Sequence, residues 1–255
     1  FPAFSDEKTL ARFRLAPPTG PLEMDPETAR GSGCRNGAKR GAHKRCRAPF
    51  PGLLAHEVEH VAWLLGINFT VQLVPADGER ILQVLAGHSE AVERRGRQLY
   101  QAAWNYSVAR RASLVVAGVE GGPRQQTWEA LGRAMEAAAA LVEEGGAIAV
   151  CCDLGGELGP AMRRLAKTRS RESALRQIRK TRPGDALPAL QLARVLQRDH
   201  VYLLSRLDPC DVEALDMVPL AGPAELARLT RQHPSCILLS NASRAMVSVA
   251  SNGEE

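Results

Sequence analysis

Apolar and polar positions along the chain change period several times, and the changes mark out elements. Leu54, Val58, Val61 and Leu65 recur at helical spacing and Gly66 ends the run, which predicts an amphipathic helix with that stripe facing inward. Residues 69–74 (Phe-Thr-Val-Gln-Leu-Val) then alternate as a strand does. Pro75-Ala76-Asp77-Gly78 supplies turn chemistry, and 81–85 returns, so a hairpin is expected. A helix over about 89–104 follows. Residues 114–119 read as a buried strand, and Trp128, Leu131, Met135, Ala138 and Val142 form one face of a helix. Residues 147–152 read as a second buried strand. Strand, helix and strand with short links predict a right-handed βαβ unit with two parallel neighbours. Helical text over 159–198, a strand at 201–204, short helices near Val212 and over 224–230, and a strand at 236–239 continue the alternation. The expected fold class is α/β: a three-layer, open, mostly parallel sheet over about 110–250, preceded by a partial α/β region that carries the hairpin.

The remaining text is less regular. Residues 1–15 are expected to form a short helix capped by Ser5, with Leu10 and Phe13 on one side. From 16 to 52 the chain holds six prolines, and seven Lys or Arg between Arg30 and Arg47 without an acid, so a mobile basic loop is expected there. The 255 residues carry 33 Lys plus Arg against 28 Asp plus Glu, a net charge of +5, which permits an anionic partner without requiring one. The second basic run, Arg163 to Arg182, is helical text with an apolar inner side. Aromatic residues are almost absent from both runs, so stacking platforms are missing and specific nucleic-acid binding is not expected. No apolar stretch approaches the length of a membrane span. The six cysteines show no CxxC spacing and read as reduced thiols, mostly small core residues of a cytoplasmic protein.

Two local patterns bear on chemistry. His56-Glu57-Val58-Glu59-His60 spells H-E-x-x-H on a predicted helix, where two histidines one turn apart can hold zinc and Glu57 can act as base. Glu59 stands between them where an apolar residue is usual, no third ligand follows at a familiar spacing, and a solvent face carrying His56, His60 and Trp63 is the plainer reading. Gly118-Val119-Glu120-Gly121-Gly122 joins a strand to a helix, where open α/β sheets bind ligands, although tight turns also account for its glycines. Gln126, Glu129 and Arg133 line the outer face of the helix that follows, and Glu129 and Arg133 are spaced for an ion pair.

The order of these segments resembles the nickel-pincer-nucleotide lactate racemase family. The resemblance runs through Leu65-Gly66-Ile67-Asn68-Phe69, the hairpin ending Leu85-Ala86-Gly87, Ser113-Leu114-Val115-Val116, Gly121-Gly122, Gln126-Thr127-Trp128-Glu129-Ala130-Leu131 and residues 142–148. It covers most of 1–155 and is loose beyond. It implies a two-domain protein holding a nickel-pincer nucleotide between the domains. The metal accepts a hydride from a hydroxylated carbon while paired histidines move the hydroxyl proton, and returning the hydride to the other face inverts the centre. It further implies that residues 1–105 are the remainder of an N-terminal cofactor-binding domain and 106–255 a C-terminal α/β domain. The phosphate loop and one catalytic histidine would precede Phe1, in an N-terminal part missing from this chain.

Mapped residue by residue, the resemblance puts Arg14 where the family has its other catalytic histidine. It offers Lys44, with Lys39 as the alternative, for the cofactor-linked lysine, and places His56 near the nickel ligand. Gln126 matches a substrate-binding glutamine, and Glu129 stands where a lysine would hold the substrate carboxylate. Arginine is not a general base near neutral pH, and a glutamate repels a carboxylate. The implied activity is therefore a racemase or epimerase of 2-hydroxy acids or related hydroxy compounds. A neutral or polyhydroxylated small molecule suits Glu129 better than lactate. A non-catalytic binding or regulatory homologue is the alternative, with an H-E-x-x-H zinc peptidase behind it.

Overall fold

The structure, a computed structural model, describes residues 61, 63–168 and 170–250. The chain divides into two compact units, 1–67 and 68–255. The predicted helix over 1–15, the basic loop over 16–52 and the start of the helix before Val61 lie outside the described residues. Of the first unit, the described end shows helix giving way to a turn, with Gly66 at φ +64 as the expected stop. Leu65, expected on the buried stripe, is 69% exposed and lies in that turn.

The second unit begins with the expected hairpin. Strands β1 (Thr70–Pro75) and β2 (Ile81–Gly87) pair antiparallel, with Leu73 opposite Val84. One face packs on helix α1 (Ser89–Trp104), where Val74 and Val92 are buried. Strand β3 (Asn105–Val108) follows α1 directly.

The centre of the unit is a five-stranded sheet in the order β7-β6-β5-β4-β8, with every pairing parallel. Its strands are β4 (Ala112–Gly118), β5 (Val142–Cys151), β6 (His200–Leu204), β7 (Val218–Pro219) and β8 (Cys236–Leu239). Leu114, Val115, Ile148 and Val150 have no exposed surface, as expected of strands covered on both faces. Helix α2 (Trp128–Leu141) starts where Thr127 accepts a 3.2 Å hydrogen bond from the Ala130 amide. It buries Leu131, Met135, Ala138 and Leu141. Gly132 lets it approach helix α5 (Ala186–Val195), since a Cβ there would lie 2.1 Å from Gln191 Oε1. The helical text over 159–198 resolves into α3 (Pro160–Lys167), α4 (Arg171–Thr181) and α5. Helices α6 (Pro209–Ala214) and α7 (Pro223–Gln232) fall where expected, and Leu226 and Leu229 of α7 pack against Leu114 and Ala149.

Three expectations need correction. Val142 is not helical: its extended backbone (φ −85, ψ 146) pairs with Ala112, so β5 begins five residues before Ala147. Strand β9 (Met246–Val249) pairs in parallel with β3, and neither showed enough alternation to be predicted. Cys210 and Cys236 are exposed rather than core residues, the latter on edge strand β8. The parallel α/β sheet itself is as expected. No helix among the described residues is long and apolar enough to cross a membrane.

One buried polar contact holds the outer helices. Asp185, 8% exposed, accepts hydrogen bonds of 3.0 Å from the Ala161 and Met162 amides at the start of α3. Asp185→Ala is expected to lower stability by about 1–2 kcal/mol in urea denaturation, with Asp185→Asn retaining part of the loss.

Candidate functional site

Sequence order reverses in the sheet between β4 and β8. The chain moves outward from β4 through β5 and β6 to β7, then returns by α7 to place β8 on the other side of β4. Such a reversal opens a crevice between the loops leaving the carboxyl ends of the two strands. Here those loops are 119–122 after β4 and 240–245 after β8.

The two loops are tied together and to the sheet. The Val119 amide donates to Cys151 O at 2.9 Å and the Ala242 amide to Gly118 O at 2.8 Å. Asn241 Nδ2 donates to Glu120 Oε2 at 2.7 Å. Asn241 sits at φ 49, a left-handed conformation that asparagine tolerates better than most residues, and it is 6% exposed.

A third segment closes over this end of the sheet. Arg244 donates from Nη1 to Ala76 O and from Nη2 to Gly78 O at 2.9 Å, so the guanidinium grips the hairpin turn. It lies 5.7 Å from the centre of the Trp104 ring, whose indole N–H donates to Pro75 O at 3.1 Å. Tyr100 Oη donates to Arg244 O at 2.8 Å from the same helix. Glu79 of the turn meets the loop after β4, where a Cβ on Gly122 would stand 2.3 Å from Glu79 Oε1.

Between turn, helix end and loops lies an open cleft of 430 Å³, lined by Asp77, Trp104, Tyr106, Glu120, Ser240 and Asn241, with Ala76, Leu82 and Ala103. Among the described residues its titratable side chains are acidic or phenolic, with no lysine, arginine or histidine. Arg80, hydrogen-bonded to Asp77, holds that carboxyl below its usual range. Burial pushes the Tyr100 phenol up.

Gln126 belongs to this site, in a bracing position. Its Nε2 donates to Val119 O and Gly121 O, both at 3.1 Å, on either side of Glu120. Its Oε1 accepts from the Asp153 amide at 2.9 Å. The side chain thus laces the loop after β4 to the loop after β5. Glu129 is exposed on the first turn of α2, and the ion pair expected with Arg133 is not formed among the described residues. Cys151 and Cys152 end β5 and begin its loop; burial raises both thiols, Cys152 to about 11, so neither supplies a thiolate near neutral pH. Arg14, Lys39, Lys44, His56, Glu57 and His60 lie outside the described residues. Among the described residues no group of three His, Cys, Asp or Glu is arranged to hold a metal.

Sequence reading reached the glycine loop and Gln126 but missed Asp77, Tyr106, Ser240 and Asn241 as parts of one site. They come from three distant segments, and only the strand order joins them.

No family model matches the chain, and no curated protein does. Among solved structures it is similar to the lactate racemase apoprotein of Thermoanaerobacterium thermosaccharolyticum, with a TM-score of 0.65 at 18% identity over 76% of this chain and 49% of that one. It is also similar to a protein from Thermotoga maritima, with a TM-score of 0.50 at 11% identity over 71% of this chain and 49% of that one. The chain thus spans about half the length of either structure.

If Gln126 is the brace between the two loops, Gln126→Ala leaves Val119 O, Gly121 O and the Asp153 amide without their partner. Expected are a loss of about 1–3 kcal/mol and faster hydrogen exchange at the Asp153 amide, read by NMR. Unchanged exchange there would remove the bracing role. The comparisons add one conclusion to the geometry: this chain has a lactate racemase-like fold.

Proposed function

We propose that the chain is part of a racemase or epimerase of small hydroxy compounds, working with a nickel-pincer nucleotide in a cytoplasmic setting. The observation that carries the reading is the similarity of fold to a lactate racemase, at a TM-score of 0.65. The Gln126 loop at the sheet's reversal point, matched from sequence, supports it. In this reading 1–105 belongs to a cofactor-binding domain, and 106–255 forms the substrate-side domain.

The described wall of the cleft does not fit a nucleotide phosphate, because it presents Asp77 and Glu120 and no basic side chain. By the resemblance, holding the cofactor would fall to Lys44, as the attachment point, and His56, as the nickel ligand. When bound, the group would supply a reversible hydride acceptor. The loops after β4 and β8 act on the substrate side. Gln126 fixes the loop that presents Glu120, and its committed amide leaves only spare acceptor capacity at Oε1 for a substrate hydroxyl. Glu129, exposed on the first turn of α2, disfavours a substrate carboxylate nearby.

A second reading, a binding or regulatory protein that keeps the fold without the chemistry, draws on the same engagement of Gln126 and on Arg14 standing in the histidine position. The two part in one experiment: the full-length product is made together with the cofactor-making enzymes, and its nickel and nucleotide absorbance are measured. The racemase reading expects stoichiometric nickel that falls at least tenfold in His56→Ala. Metal-free and nucleotide-free protein would overturn it in favour of the binding protein. Full nickel in His56→Ala would remove only the ligand assignment.

A further inference from the structure

The cleft between the hairpin turn and the loops after β4 and β8 has a chemistry of its own. Its described lining combines acceptors and an aromatic ring, without a lysine, arginine or histidine. Asp77, Glu120, the Ser240 hydroxyl and the Asn241 side chain supply oxygens that accept hydrogen bonds. Asn241 is 6% exposed, and its amide nitrogen is committed to Glu120. Asn241 lines the cleft, and its Oδ1 has no hydrogen-bond partner among the described residues. An acceptor in that state has lone pairs free for a donor arriving from a ligand. Tyr106 adds an apolar surface: it is 40% exposed, and its hydroxyl reaches Ala103 O at 3.4 Å. Leu82 and Ala103 extend that surface.

These features discriminate among ligand classes. An anion would enter against Glu120 with no lysine, arginine or histidine among the described lining residues to meet it. A cation finds Asp77 already paired with Arg80. A neutral molecule with hydroxyls on adjacent carbons fits both requirements: each O–H donates to a carboxylate or amide oxygen, and its C–H face lies on Tyr106. The volume of 430 Å³ lies at the small-ligand end of the range for binding pockets.

We propose that this cleft binds a neutral, hydroxyl-rich small molecule of the polyol or sugar class through Glu120, Asn241, Asp77 and Tyr106. That such a molecule is a substrate rests on the racemase reading; its binding does not.

The test uses the full chain without cofactor, titrated with sorbitol, glucose, lactate and putrescine and followed by saturation-transfer NMR. Sorbitol or glucose is expected to bind, with transfer strongest at C–H protons. Affinity is expected to fall by about tenfold or more in Asn241→Gly, which preserves the left-handed backbone, and in Tyr106→Ala. Glu120→Gln changes an exposed side chain without threatening the fold, and is expected to weaken binding several-fold. Binding that is absent for both sorbitol and glucose, unchanged in all three variants, or stronger for lactate or putrescine would overturn the proposal. Nickel retention is measured separately. Polyol binding by a protein that never retains nickel would uphold this site and sink the racemase reading, and the reverse pattern would do the opposite.

Discussion

Arg244 is the contact on which the shape of this unit turns. Two backbone carbonyls of the hairpin turn accept from its guanidinium, and the same group lies over the Trp104 ring. Its neighbours reinforce the grip: Tyr100 Oη bonds the Arg244 carbonyl, and the Trp104 indole bonds Pro75 O. A two-stranded hairpin is marginal by itself. Here it is held on one face by α1 and at its tip by a charged donor from the loop after β8. The cleft exists because that tip stands over the end of the sheet.

The sheet supplies what the hairpin leans on. Parallel strands buried on both faces form a rigid floor, and the reversal of strand order at β4 and β8 leaves a gap at their carboxyl ends. Each loop around the gap is fixed by a particular bond. Gln126 holds the loop after β4 against the loop after β5, and Asn241 joins the loop after β8 to Glu120. The local electrostatics follow from this framework. Positive charge is spent on backbone carbonyls and on Asp77, so the described lining of the cleft carries oxygens without cations.

Much of the fold was legible in the sequence where periodicity is strong. The βαβ pattern over 114–152 became β4, α2 and β5, because apolar strands and an amphipathic helix leave few other arrangements. The hairpin was legible from alternation and a Pro-Ala-Asp-Gly turn. The limits were physical. Val142 reads as the last turn of a helical face, yet its extended backbone pairs with Ala112. Strands β3 and β9 are four residues each, too short for a period to show, and they exist through pairing with one another. The site was legible only in its contiguous part, the glycine loop with Gln126. Asp77, Tyr106 and Asn241 lie more than 100 residues apart at the extremes and meet through sheet order, which no local pattern encodes.

The central claim is that Arg244 pins the hairpin turn over the sheet's end and so creates the cleft. Hydrogen exchange with mass spectrometry on Arg244→Met tests it directly, because methionine keeps an apolar contact with Trp104 while removing both hydrogen bonds to the turn. The account predicts faster exchange across residues 70–87 with protection of β4 and β5 unchanged. Equal protection of the hairpin in the variant and the unaltered chain would contradict it.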